Sequence, residues 1–98
     1  MILNKRQVRQ LKALASNCSI RYILGKNEIS ETFLDMVDKG ITKHELVKID
    51  LLQTFTSDKY DLADSISSYL HAEVITVIGN VIVLYRKNLN NPVIKLVD

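Results

Sequence analysis

Two runs rich in β-branched residues, Ala72 to Ile78 and Val81 to Lys87, are separated only by Gly79-Asn80. A two-residue loop with a leading glycine suits a type II′ turn, so the runs are expected to form an antiparallel hairpin. Its pairing sets Ile78 opposite Val81, Thr76 opposite Val83 and Val74 opposite Tyr85. The same stretch, Val74 to Tyr85, is the most apolar of the chain, but Thr76 and Gly79-Asn80 interrupt it and it falls well short of the roughly 20 residues that span a bilayer. It is expected to be core rather than membrane.

The remaining elements follow from periodicity and caps. Asn4 can cap a first helix, with Gln7 three residues on as in a capping box and Leu3 and Val8 at the staple positions. Val8, Leu11, Leu14 and Ala15 recur at helical spacing and are expected to face the core. Ser19 to Leu24 alternates as a strand, with Ile20, Tyr22 and Leu24 on one face and Arg21 and Ile23 on the other. Ser30 can cap a second helix with Phe33, Leu34, Val37 and Ile41 inward, and Gly40 is expected near its C-terminus as a left-handed residue. Glu45 to Leu52 reads as a half-buried strand, expected parallel to the first because a helix connects them. Thr56, Ser57 or Asp58 starts a third helix with Leu62, Ala63, Ile66, Tyr69 and Leu70 inward. The tail from Pro92 to Val97 is compatible with a short edge strand. The expected fold is α+β: one domain over residues 1–98, with a core at 3–88 and a short tail at 89–98. Its order is helix, strand, helix, strand, helix, strand, strand, a four-stranded mixed sheet packed by helices.

Ninety-eight residues suffice for one core without staples. The single cysteine, Cys18, cannot form an internal disulfide or a Cys-based zinc site, and Met1-Ile2-Leu3 runs into Asn4-Lys5-Arg6 without the apolar segment of a secretion signal. A reducing, cytoplasmic setting is the expectation. The net charge of +2 conceals an asymmetry, since residues 1–26 hold Lys5, Arg6, Arg9, Lys12, Arg21 and Lys26 and no acid, while the rest carries all 11 acids. Lys5, Arg9 and Lys12 form a stripe on the first helix, with Arg6 beside it. One basic face could meet a polyanion while the whole stays near neutral. Charge alone does not separate that from a solvated basic helix.

No catalytic or cofactor constellation is legible. His44 and His71 stand apart at expected strand starts, Cys18 has no activating histidine, and Asp58, Asp61 and Asp64 read as complements to a helix N-terminus. The Walker and dinucleotide glycine patterns are missing. The expectation is therefore no enzyme, metal, cofactor or small-molecule substrate. What remains is the turn Gly25-Lys26-Asn27-Glu28, where a glycine lets backbone approach a ligand and Lys26 offers a charge for phosphate. Beside the basic helix it reads as a phosphate-backbone contact.

Four ordered stretches resemble one family. Leu3-Asn4-Lys5-Arg6-Gln7 with Leu11-Lys12-Ala13-Leu14-Ala15 is similar to the basic first helix of YhbY-like proteins, which are stand-alone CRM domains (chloroplast RNA splicing and ribosome maturation). Leu24-Gly25-Lys26-Asn27 resembles their G-K-x-G loop, and His44-Glu45-Leu46-Val47-Lys48-Ile49 their H-E-L-[IV]-K-[VI] strand. Val77-Ile78-Gly79-Asn80 with Val83-Leu84-Tyr85-Arg86 resembles their closing hairpin. The resemblance implies a fold similar to the C-terminal domain of translation initiation factor three. It also implies RNA binding with a GxxG loop that works much as in KH domains, and association with the pre-large ribosomal subunit in ribosome assembly.

Carried over residue by residue, it points to Lys5, Arg6, Arg9 and Lys12 on the helix, Gly25, Lys26 and Asn27 in the loop, and Arg86 after the last strand. The expected partner is RNA, the large-subunit rRNA or its precursor, bound by a monomer with no membrane contact. The alternative is a module that docks on a ribosomal or assembly protein. One departure is Glu28 at the place of the second loop glycine. At about 4 Å and an effective dielectric of 20, a like-charge contact costs about 4 kcal/mol before screening, so Glu28 must point away from phosphate or the loop binds less closely. In the H-E-L stretch, Glu45 is expected to pair with a neighbouring base and Leu46 to pack under the second helix.

Overall fold

Local signals set most element boundaries. The computed structural model describes residues 3–25, 29–52 and 58–98. Helix α1, Lys5–Ser16, starts at the expected capping box: the Gln7 amide donates to Asn4 Oδ1 at 2.8 Å and the Asn4 amide to Gln7 Oε1 at 3.0 Å. Strand β1 is Arg21–Leu24. Helix α2, Glu31–His44, is capped by Ser30, which accepts from the Phe33 amide at 3.1 Å. Strand β2, Leu46–Leu51, leads to helix α3, Lys59–Leu70, where Asp58 is the cap and accepts from the Tyr60 and Asp61 amides. Strands β3, Glu73–Ile78, and β4, Val81–Tyr85, close the order. The candidate caps Thr56 and Ser57 lie outside the described residues.

The four strands form one mixed sheet in the order β1-β2-β4-β3, with β1 parallel to β2 and the other neighbours antiparallel. In the hairpin turn Gly79 has φ +56 and Asn80 does not have positive φ, as a type II′ turn requires. Ile78 faces Val81 and Thr76 faces Val83 as expected, but Val74 faces Leu84, not Tyr85, because a bulge at Ile75 inserts one residue. The bulge turns Ile75 toward α1.

Each sheet face has its own core. On one, Leu24, Val47, Ile49, Leu51, Ile82 and Leu84 pack against the inward stripes of α2 and α3. On the other, α1 covers Leu46, Ile75, Val83 and Tyr85 with Leu11 and Ala15. This corrects four expectations. Leu46 packs beneath α1 rather than α2, because β2 alternates and Val47 takes the α2 side. Leu14 and Tyr69 are exposed at the edges of their helical stripes, and Ser67 is buried on α3 instead. Gly40 is not a left-handed terminus: α2 continues to His44, and an added Cβ at Gly40 would overlap the Tyr22 hydroxyl. The positive-φ residues there are Glu45 (φ 67), which ends α2, and His71 (φ 55), which ends α3, so both histidines mark helix ends and not strand starts.

The tail forms no strand; it is tied to α1 and to Glu45. Gln7 Nε2 donates to the Val97 carbonyl at 2.9 Å, Gln10 Nε2 to that of Lys95 at 2.7 Å, and Ile94 and Leu96 extend the α1 core. Glu45 is fully buried, and no base among the described residues neutralises it. Its carboxylate accepts three backbone N–H groups instead, from Asn88 at 2.7 Å and from Val93 and Ile94 at 2.6 Å each. The expected ion pair is thus replaced by a set of charge-assisted hydrogen bonds that anchors the tail.

Candidate nucleic-acid interface

The flanks of α1 are dressed differently. Gln7 and Gln10 turn one flank to the tail, where Arg6 also lies, beside Lys95 to Asp98. The opposite flank carries Lys5, Arg9 and Lys12 around Val8, lining one shallow depression with Leu3 and Asn4. Arg6 is thus turned to the tail side of the stripe, where it shares a second depression with Arg9, Gln10, Ala13 and Val97. None of the four cations is in an ion pair with another described residue. The first turn of α1 holds Lys5 and Arg6 and no acid, the reverse of what the helix dipole favours, at about 0.3–1 kcal/mol per charge.

Gly25 follows β1 and is half-buried. An added Cβ would lie 3.9 Å from Leu52 Cδ1, an ordinary van der Waals distance, and its φ is outside the left-handed region. Among the described residues nothing demands a glycine there. Lys26, Asn27 and Glu28 lie outside the described residues.

Arg86 is not brought to this face. Its Nη1 meets Asp38 Oδ1 at 2.8 Å and the Leu70 carbonyl at 2.7 Å, and its Nη2 meets the Asp38 carbonyl at 3.2 Å and the Thr42 hydroxyl. It clamps the ends of α2 and α3 to β4, across the sheet from α1.

Sequence reasoning missed the half of the sheet that α1 leaves uncovered. Arg21 and Ile23 of β1 pair with Lys48 and Asp50 of β2, on the same face as α1, and Arg21 lies 3.5 Å from Asp50. The signal was present in the alternation that put Arg21 and Ile23 on the strand's second face. Among the described residues no three His, Cys, Asp or Glu side chains gather as a metal site, and no helix is long and apolar enough to cross a membrane.

A family model for the CRS1/YhbY (CRM) domain matches residues 3–86, from the α1 staple to the Arg86 clamp. The chain belongs to the CRM domain family. This CRM domain is 27% identical over 95 residues to the probable RNA-binding protein YqeI of Bacillus subtilis, covering 97% of this chain and 99% of the relative. It is 29% identical over 84 residues to an RNA-binding protein of Haemophilus influenzae, covering 86% and 85%. The solution structure of the hypothetical protein SAV1595 from Staphylococcus aureus superposes with a TM-score of 0.80 at 35% identity, covering 97% of this chain and 99% of that one. The matched span holds all seven elements of the CRM domain and stops before the tail that Glu45 anchors.

Proposed function

We propose that this CRM domain is a non-catalytic RNA-binding protein of the cytoplasm that acts on structured rRNA of the maturing large ribosomal subunit. The observation that carries this reading is the flank of α1, where Lys5, Arg9 and Lys12 share one depression without an ion-pair partner among the described residues. Lys5 opposes the dipole of its helix in the first turn, and Lys5, Arg9 and Lys12 together neutralise no described acid, so phosphate is the group that would offset their charge. Gly25 supports the same reading, because the described residues leave room for a side chain that the sequence withholds, so that backbone is open to a close ligand. Lys26 and Asn27 extend the interface in this proposal. The names of the relatives agree with an RNA partner.

Replacing Lys5, Arg9 and Lys12 by alanine should weaken binding to a large-subunit rRNA fragment and flatten the dependence of log K on log salt by about one unit for each phosphate no longer neutralised. A titration across potassium chloride concentrations reads both. Unchanged affinity and slope would remove α1 from the interface. Crosslinking in cells, with sequencing of the attached RNA, tests the partner: recovery of messenger or transfer RNA without large-subunit rRNA would overturn that part.

A further inference from the structure

An in-register row crosses all four strands on the uncovered half of the α1 face. Ile23 of β1 pairs with Asp50 of β2, Asp50 with Val81 of β4, and Val81 with Ile78 of β3. The two ends of the row are open to solvent, Ile23 at 62% and Ile78 at 64% exposure, while Val81 packs partly against the core under α1. A β-branched side chain so placed forgoes about 1.5–3 kcal/mol of burial, and here two stand on one line. Three strand spacings make the row about 14 Å long, room for two or three bases.

The charge around the row selects its occupant. The basic flank of α1 lies on the same sheet face, and Arg21 and Lys48 form the next row inward. Asp50, the acid in the row, is neutralised by Arg21. Glu31, Asp35, Asp38, Asp58, Asp61 and Asp64 belong to α2, α3 and the α3 cap, across the sheet. With Asp50 offset by Arg21, the strip's apolar side chains are bordered by Lys48 and the basic flank of α1, which suits a chain with a phosphate backbone and flat apolar faces. A duplex turns its bases inward and would leave the isoleucines wet.

We infer that the row Ile23, Val81 and Ile78 is a platform for unpaired RNA bases, so that the RNA this domain prefers presents a single-stranded segment beside its phosphate contacts. This rests on the RNA-binding reading above and adds the state of the RNA. The strip supplies packing without base-edge readout, so sequence preference should be slight.

The test uses the full chain and two fluorescent probes, a ten-nucleotide RNA with no self-pairing and a ten-base-pair RNA duplex. Ile23→Ser with Ile78→Ser should weaken the single-stranded probe about tenfold, the duplex less than twofold, and leave the salt slope unchanged. Ile23→Phe, which keeps the strand and enlarges the platform, should tighten the single-stranded probe severalfold. If both changes leave single-strand affinity as it was while the Lys5, Arg9 and Lys12 alanine variant still weakens it, the platform is wrong and the RNA reading stands. If that charge variant is also without effect, the RNA reading itself fails. Serine variants that bind both probes normally but lose particle association after ribonuclease treatment would make the row a protein-docking strip instead.

Discussion

Tyr85 and Glu45 show how far a single residue's role lies from its neighbours in sequence. Tyr85 is fully buried under α1, and its hydroxyl has no hydrogen-bond partner among the described residues. Burial first, and the negative charge of Glu45 second, push its pKa from 10.0 up to about 12. Below pH 10 the phenol is neutral in both folded and unfolded chains. Above it the unfolded chain releases the proton while the folded one retains it, so stability falls from pH 10 through about 12. Tyr85→Phe should leave stability at pH 8 unchanged or raised by up to about 1 kcal/mol, and should shrink the alkaline loss. Urea unfolding at pH 8 and pH 11 checks both, and a large loss at pH 8 would mean the hydroxyl has a partner. None of this is visible in sequence, where Tyr85 is one more strand residue. Glu45 misled for a similar reason, because the three amides it accepts come from residues 43 to 49 positions away.

At the scale of the element the sequence was most informative, because helix starts and tight turns are decided within a few residues. Asn4, Ser30 and Asp58 each cap the helix that follows, and Gly79 makes the turn its place in the sequence implied. Gly79→Ala isolates that backbone effect, since an added Cβ meets no described residue within 4 Å while φ stays at +56. It should cost about 1 kcal/mol, or about 4–8 °C in Tm for a domain of this size. Differential scanning calorimetry reads the shift, and an unchanged Tm would show that the turn changes type at no cost. Element ends and edges were less legible. Leu14 and Tyr69 satisfy the helical period and are still exposed, because the width of a buried stripe depends on what packs against it. The bulge at Ile75 escaped because an extra residue in one strand breaks no local rule.

The whole molecule is a sheet with a basic helix and the tail on one face and two acid-bearing helices on the other. Glu45 ties the tail to that plan, and Glu45→Gln tests it. The amide oxygen can still accept from Val93 and Ile94, but its NH2 then meets the Asn88 N–H, donor against donor. Stability should fall by about 2–3 kcal/mol, and hydrogen exchange at Asn88, Val93 and Ile94 should quicken more than in α2. Unaltered exchange at those amides would show that the tail is held by the Gln7 and Gln10 hydrogen bonds and the packing of Ile94 and Leu96 without need of Glu45. The sequence by itself determined the order of elements, the helix caps, the hairpin, the basic stripe and the resemblance to the CRM family, because each is written in spacings of a few residues. Only the tertiary structure decided that Arg86 is a clamp turned away from α1, that Arg6 faces the tail, and that Ile23 and Ile78 end one exposed row. Those outcomes depend on which elements come to lie on which face of the sheet. A change of neighbour there alters what a side chain can reach without altering a residue beside it.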